Sequence, residues 1–150
     1  MANSDGSVDI LMVEDNANDE ALTLHELSKY HLANRIRVVR DGQEAIEYIF
    51  CTGRYASRDI KEQPHVILLD IKLPYIDGLE ILKRIKSDQR TRTIPVVMLT
   101  SSREERDLIE SYRLGVNSYI VKPVDFDQFK ESARTLGMYW LLLNKPPKAA

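Results

Sequence analysis

Five side chains stand where a reactive group closes an apolar run. Glu14 and Asp15 follow Ile10-Leu11-Met12-Val13, Asp70 follows Val66-Ile67-Leu68-Leu69, Thr100 follows Val96-Val97-Met98-Leu99, and Lys122 follows Tyr119-Ile120-Val121. Three carboxylates gathered at one place repel each other and raise each other's pKa unless a cation joins them. A donor set of carboxylates, with no histidine or cysteine cluster beside it, selects a hard divalent cation such as Mg²⁺, which holds one or two carboxylates, waters and phosphate oxygens. Aspartate is a nucleophile for phosphoryl transfer, forming an acyl phosphate. A lysine and a hydroxyl opposite it supply charge and a donor for the equatorial oxygens. Taken singly, Lys122 reads as a solvated lysine, Thr100 as a turn residue and Asp70 as a helix cap. Their joint order along the chain points to chemistry.

The elements that must bring these residues together alternate. Strands are predicted over residues 8–13 and 36–39, then over a third run ending at Asp70, over 94–99 ending at Thr100, and over 118–121. The run before Asp70 is apolar without alternation, as expected of a strand buried on both faces. Asn16 caps a first helix running to about Tyr30, with Asp19 and Glu20 in its first turn and Ala17, Ala21, Leu24 and Leu27 as its apolar stripe. Asp41 and Glu44 start a second helix carrying Ala45, Ile46, Ile49 and Phe50, which Thr52-Gly53 ends before a polar loop from Arg54 to Gln63. Asp77-Gly78 opens a third, with Leu82 and Ile85 inward. Ser102 and Glu105 form a capping box for a fourth, closed by Gly115. Asp125 opens a fifth, carrying Phe126, Phe129, Ala133 and Leu136. Five strands alternating with five helices imply an α/β fold, a doubly wound parallel sheet covered on both faces. Its strand ends meet along one edge, where such sheets bind ligands.

Composition narrows the function classes. The 150 residues suffice for one domain spanning 1–150, with 21 basic and 23 acidic residues. That near balance lacks the basic face expected of a nucleic-acid binder. The single cysteine, Cys51, fits a reducing compartment and an apolar helical pattern, so a buried structural thiol is expected. No apolar run reaches the ~18 residues of a membrane span, and the polar first seven residues do not read as a signal peptide. A cytoplasmic protein without membrane contact is the expectation. His25, His31 and His65 read as surface or helix residues.

With these residues in view, the sequence resembles the receiver domains of two-component response regulators. The resemblance rests on Val13-Glu14-Asp15, on the run from Leu69-Asp70 to Asp77-Gly78, on Leu99-Thr100-Ser101 and on Tyr119-Ile120-Val121-Lys122-Pro123, and covers residues 8 to 136. It implies a flavodoxin-like sheet of order 2-1-3-4-5. It makes Asp70 the phosphoacceptor, Asp15 a direct Mg²⁺ ligand with Glu14 acting through water, the Lys72 carbonyl a further ligand, and Thr100 and Lys122 the phosphoryl contacts. It makes Tyr119 an aromatic switch and Lys122-Pro123 a cis peptide. It further implies phosphotransfer from a sensor histidine kinase, with the chain catalysing its own phosphorylation and dephosphorylation and turning over no separate substrate. Relatives often carry two aspartates in place of Glu14-Asp15 and a smaller residue in place of Ser101. The loop from Arg54 to Gln63 and the aromatic C-terminus resemble stand-alone regulators paired with bacterial phytochrome kinases, and no DNA-binding output domain is expected after the last helix.

Rival readings fit less well. A haloacid-dehalogenase-type phosphatase needs a second aspartate where Lys72 stands, a flavodoxin needs a hydroxyl- and glycine-rich loop where Glu14-Asp15-Asn16 stands, and neither a dinucleotide fingerprint nor a P-loop is present. The alternative from another class is a pseudo-receiver that is never phosphorylated and acts as an interaction module. Finally, residues 138–143, Met-Tyr-Trp-Leu-Leu-Leu, are apolar on every side of a helix, so a C-terminal extension over about 137–144 is expected to bury itself in a homodimer.

Overall fold

The computed structural model describes residues 8–29, 35–102, 104–105 and 115–137. Five parallel strands, β1 (Ile10–Val13), β2 (Ile36–Val39), β3 (Val66–Asp70), β4 (Val96–Thr100) and β5 (Ser118–Val121), form one sheet in the order β2-β1-β3-β4-β5. This is the order the resemblance implies. Among the described residues four α-helices cover it: α1 (Ala17–Ser28), α2 (Gly42–Phe50), α3 (Gly78–Ser87) and α4 (Phe126–Thr135). The further helix expected between Ser102 and Gly115 lies mostly outside the described residues, as does the extension beyond Gly137.

The central strands bury every residue on both faces, which is why β3 and β4 read as unbroken apolar runs. Leu11, Val13, Leu69 and Met98 face α2 and α3 through Ala45, Ile49, Leu82 and Ile85. Ile10, Met12, Leu68, Leu99 and Ile120 face the other way, onto Leu27 of α1 and Phe129 of α4. Each fully buried leucine or isoleucine of these layers contributes about 1.5–3 kcal/mol.

The four helices share one start. Asn16, Asp41, Asp77 and Asp125 each accept the backbone N–H three residues on, at 2.9, 2.7, 3.0 and 2.8 Å, and satisfy a donor that the first turn leaves unpaired. Gly78 begins α3 because that helix lands on the backbone of the Asp70 strand end: a Cβ there would collide with the Asp70 carbonyl oxygen.

Two local expectations are corrected. The buried stripe of α1 is Thr23 and Leu27, while Ala17 and Ala21 are exposed. Alanines contribute little to burial, and the 3.6-residue period anchored on Leu27 selects Thr23 and half-buried Leu24. Cys51 is half-buried rather than buried, and itself ends α2 in the left-handed conformation at φ 57°. Its thiol lies 3.3 Å from the Arg58 guanidinium, so the loop after α2 leaves it at a polar boundary.

At the far edge, α4 returns to the sheet. The Gln128 side-chain amide accepts from Val121 N–H and donates to the Val121 carbonyl, both at 2.9 Å, and donates also to the Pro123 carbonyl at 3.1 Å.

Candidate functional site

The strand ends meet as expected, and the sheet ladder fixes their backbones before any side chain is considered. Glu14 N–H donates to the Val39 carbonyl, Ile71 N–H to that of Leu99, and Lys122 N–H to that of Thr100, at 3.0, 3.2 and 2.8 Å. Asp70 is in register with Leu99, and Thr100 with Val121. Glu14, Asp70 and Thr100 are buried, while Asp15 is exposed at the mouth.

Lys122 is the hub. Its Nζ donates to Asp70 Oδ2 at 2.8 Å and to Asp19 Oδ2 at 3.0 Å, and lies 2.9 Å from Glu14 Oε1 as an ion pair outside hydrogen-bond geometry. Burial alone would lower the ammonium's pKa; the carboxylates of Asp70, Glu14 and Asp19 more than offset that and hold it above its ordinary value. Lys122-Pro123 is a cis peptide. The sequence reading missed Asp19, which it placed only by the helix dipole; its site role comes from packing the first turn of α1 across from β5, more than a hundred residues along the chain.

One oxygen from each of Glu14, Asp15 and Asp70 lies within 4.8 Å of the others. Lys72 N–H donates to Asp70 Oδ1 at 3.3 Å, so the residue expected to offer a carbonyl borders the same carboxylate. A cavity of about 450 Å³ opens beside Asp15, lined also by Lys72, Pro74, Asp77 and Glu105. The hydroxyl of fully buried Thr100 has no hydrogen-bond partner among the described residues. A buried hydroxyl left unpaired costs about 1–3 kcal/mol, so a partner for this one would be stabilising. Three hard oxygen donors and an unpaired donor fit a divalent cation and an anionic group beside it.

Charge crowding is visible in Glu14. Burial first, then the neighbouring Asp70, raises its pKa to about 7 against the partial relief from Lys122. Because the folded carboxyl holds its proton more tightly than the unfolded one, its contribution to stability is full below about pH 4.5 and is lost as pH rises through about 7. We expect the metal-free protein to lose a few kcal/mol over that window, at about 1.4 kcal/mol per pKa unit, and Glu14→Gln to flatten the slope. Thermal melts in chelator from pH 4.5 to 8 check this, and parallel slopes for the two proteins would contradict it.

Tyr119 lies beside Met98 in the ladder and packs on the α2–α3 side of the sheet, the side that Met98 faces. Residues two apart on a strand share a face, so Thr100 lies on that side too. The two residues expected to move together are therefore neighbours on adjacent strands.

The family model of the response regulator receiver domain matches residues 10–134. The chain belongs to the response regulator receiver family. This receiver is similar to the bacteriophytochrome response regulator AtBRR, at 53% identity and a TM-score of 0.83 over 89% of this chain and 95% of that one. It is also similar to RtBRR, another bacteriophytochrome response regulator, at 49% identity and a TM-score of 0.84 over 94% and 84%. Response regulator Rcp1 of Synechocystis sp. (strain ATCC 27184 / PCC 6803 / Kazusa) is 35% identical over 132 residues, 88% of each chain. The solved Mn²⁺-bound form of Rcp1 superposes at a TM-score of 0.69, with 33% identity over 94% of this receiver and 98% of Rcp1.

Proposed function

We propose that this receiver takes a phosphoryl group from the phosphohistidine of a sensor histidine kinase onto Asp70, and that the kinase is of the bacterial phytochrome class. The observation that carries the reading is the meeting of Glu14, Asp15 and Asp70 with the Lys122 ammonium and the unpartnered Thr100 hydroxyl at one sheet edge. An Asp70 oxygen attacks phosphorus, the P–N bond of the donor breaks, and the imidazole leaves with that electron pair. Asp15, Asp70 and the Lys72 carbonyl would hold a Mg²⁺ ion, with Glu14 acting through water, and the bound ion would neutralise charge on the transferring oxygens. Lys122 already touches Asp70 and follows the charge onto the phosphoryl group, and the Thr100 hydroxyl donates to another oxygen. Thr100 moving toward the phosphoryl group frees space for the Tyr119 ring, so phosphorylation shifts a pre-existing equilibrium at that end of the sheet. The manganese in the related Rcp1 structure supports a divalent-metal pocket. The near neighbours named for bacteriophytochromes support the kinase class.

The test is direct. Incubation with acetyl phosphate and Mg²⁺ should add one phosphoryl group by intact mass, and omission of metal should abolish it. A chain that takes none under either condition leaves the interaction-module reading.

Assembly and location belong to the same proposal. No helix among the described residues is long and apolar enough to cross a membrane, and the reading places the receiver in the cytoplasm beside its kinase. The apolar segment 138–143 supports a homodimer. Light scattering should give a dimer at tens of micromolar for the full chain and a monomer for a chain ending at Leu136; a monomeric full chain, phosphorylated or not, contradicts the dimer.

A further inference from the structure

Glu105 is no part of the constellation above, yet it holds both segments that frame Asp70. The capping box expected from sequence would put its carboxylate on Ser102 N–H. Ser102 Oγ does accept from Glu105 N–H, at 3.3 Å, but the Glu105 carboxylate reaches one residue further back and accepts Ser101 N–H at 2.7 Å. Its second oxygen lies 3.1 Å from Lys72 Nζ. Ser101 directly follows Thr100, and Lys72 stands two residues after Asp70. One carboxylate therefore ties the end of β4 to the turn after β3, beside the cavity that opens at Asp15.

The two contacts differ in strength. The Lys72 ammonium is 80% exposed, so its ion pair is solvated and worth little. The bond to Ser101 joins an ionised, largely buried carboxylate to a backbone N–H, which is the stronger class. The grip is on Ser101. The Thr100 hydroxyl, meanwhile, is buried and unpaired among the described residues. A shift of the Thr100 backbone toward a phosphoryl group on Asp70 would carry Ser101 with it across one peptide bond. Each such shift strains the bond to Glu105.

We propose that Glu105 is a positioning residue that holds Thr100 back from the acceptor aspartate, and that switching requires Ser101 to leave it. The proposal rests on the reading of Asp70 as phosphoacceptor. Removing the grip should favour the switched arrangement on the order of tenfold, the effect of one charge-assisted hydrogen bond. In the full chain with Mg²⁺, Glu105→Ala should therefore bind beryllofluoride about tenfold more tightly and take phosphoryl from acetyl phosphate faster, with Mg²⁺ affinity unchanged. Glu105→Gln, which keeps an acceptor but not the charge, should fall between. In the wild-type chain the Ser101 amide resonance should move when beryllofluoride is added. Unchanged beryllofluoride affinity in folded Glu105→Ala, a static Ser101 amide, or an equal effect from the exposed neighbour in Glu104→Gln each overturns the proposal. Should the alanine variant not fold, the glutamine variant and the Ser101 amide decide. A wild-type chain that takes no phosphoryl group fails at the acceptor reading beneath the proposal and takes the proposal with it.

Discussion

Asp70→Asn is expected to take up no phosphoryl group from acetyl phosphate under conditions that label the wild-type chain. An amide keeps the volume and one acceptor of the carboxylate, but its nitrogen is no nucleophile and its oxygen carries no charge to attack phosphorus. The neighbours are held by the sheet ladder rather than by Asp70, since Glu14, Ile71 and Lys122 each donate a backbone N–H to the adjoining strand. The variant should therefore fold, and its loss is chemical. Mg²⁺ affinity should fall as well, because one of three converging carboxylates is gone. Intact mass and a metal titration read both effects. A label retained in Asp70→Asn, or an adduct in the wild-type chain stable to both acid and base, would place the phosphoryl group elsewhere.

Lys122→Ala is expected to cost the metal-free protein about 3–5 kcal/mol, the range for removing one partner of a buried charge pair. Glu14 and Asp70 are nearly inaccessible to solvent and share this cation, with Asp19 closing the third side. Without it, buried carboxylates face one another with no counter-charge. At this chain length such a loss should lower the melting temperature by roughly 10 °C or more in chelator. Mg²⁺ should give part of it back, since a divalent cation neutralises the same oxygens. Phosphorylation should persist at a reduced level, while beryllofluoride should no longer change amide exchange around Thr100 and Tyr119. An unchanged melt in chelator would mean that Lys122 is not the counter-charge its contacts describe.

What could be read from the chain without coordinates was whatever depends on near neighbours in sequence. The caps at Asn16, Asp41, Asp77 and Asp125 are bonds over three residues, and all four form. The apolar runs report strands buried on both faces, and parallel strands necessarily deliver Glu14, Asp70, Thr100 and Lys122 to one edge. What stayed hidden were contacts of polar helical side chains with distant partners. Asp19 looks like any acid in a first turn, and nothing near it in sequence indicates Lys122. Glu105 looks like half of a capping box, and its choice of Ser101 over Ser102 is a matter of one residue's reach. The stripe of α1 was misread because alanine is compatible with either face, so Ala17 and Ala21 carried less information than Leu27.

The side-chain amide of Gln128 has a consequence at the far side of the molecule. An outer strand normally offers unpaired backbone groups to any extended chain that drifts past, and this is how sheets recruit strangers and aggregate. At Val121, a residue 44% exposed, both outward-facing groups are already taken by one glutamine, which copies the pairing a sixth strand would make. The sheet is closed at that point by a mimic of its own continuation, and the apolar side chain left in solvent there has no free ladder beside it on which a foreign strand could be templated.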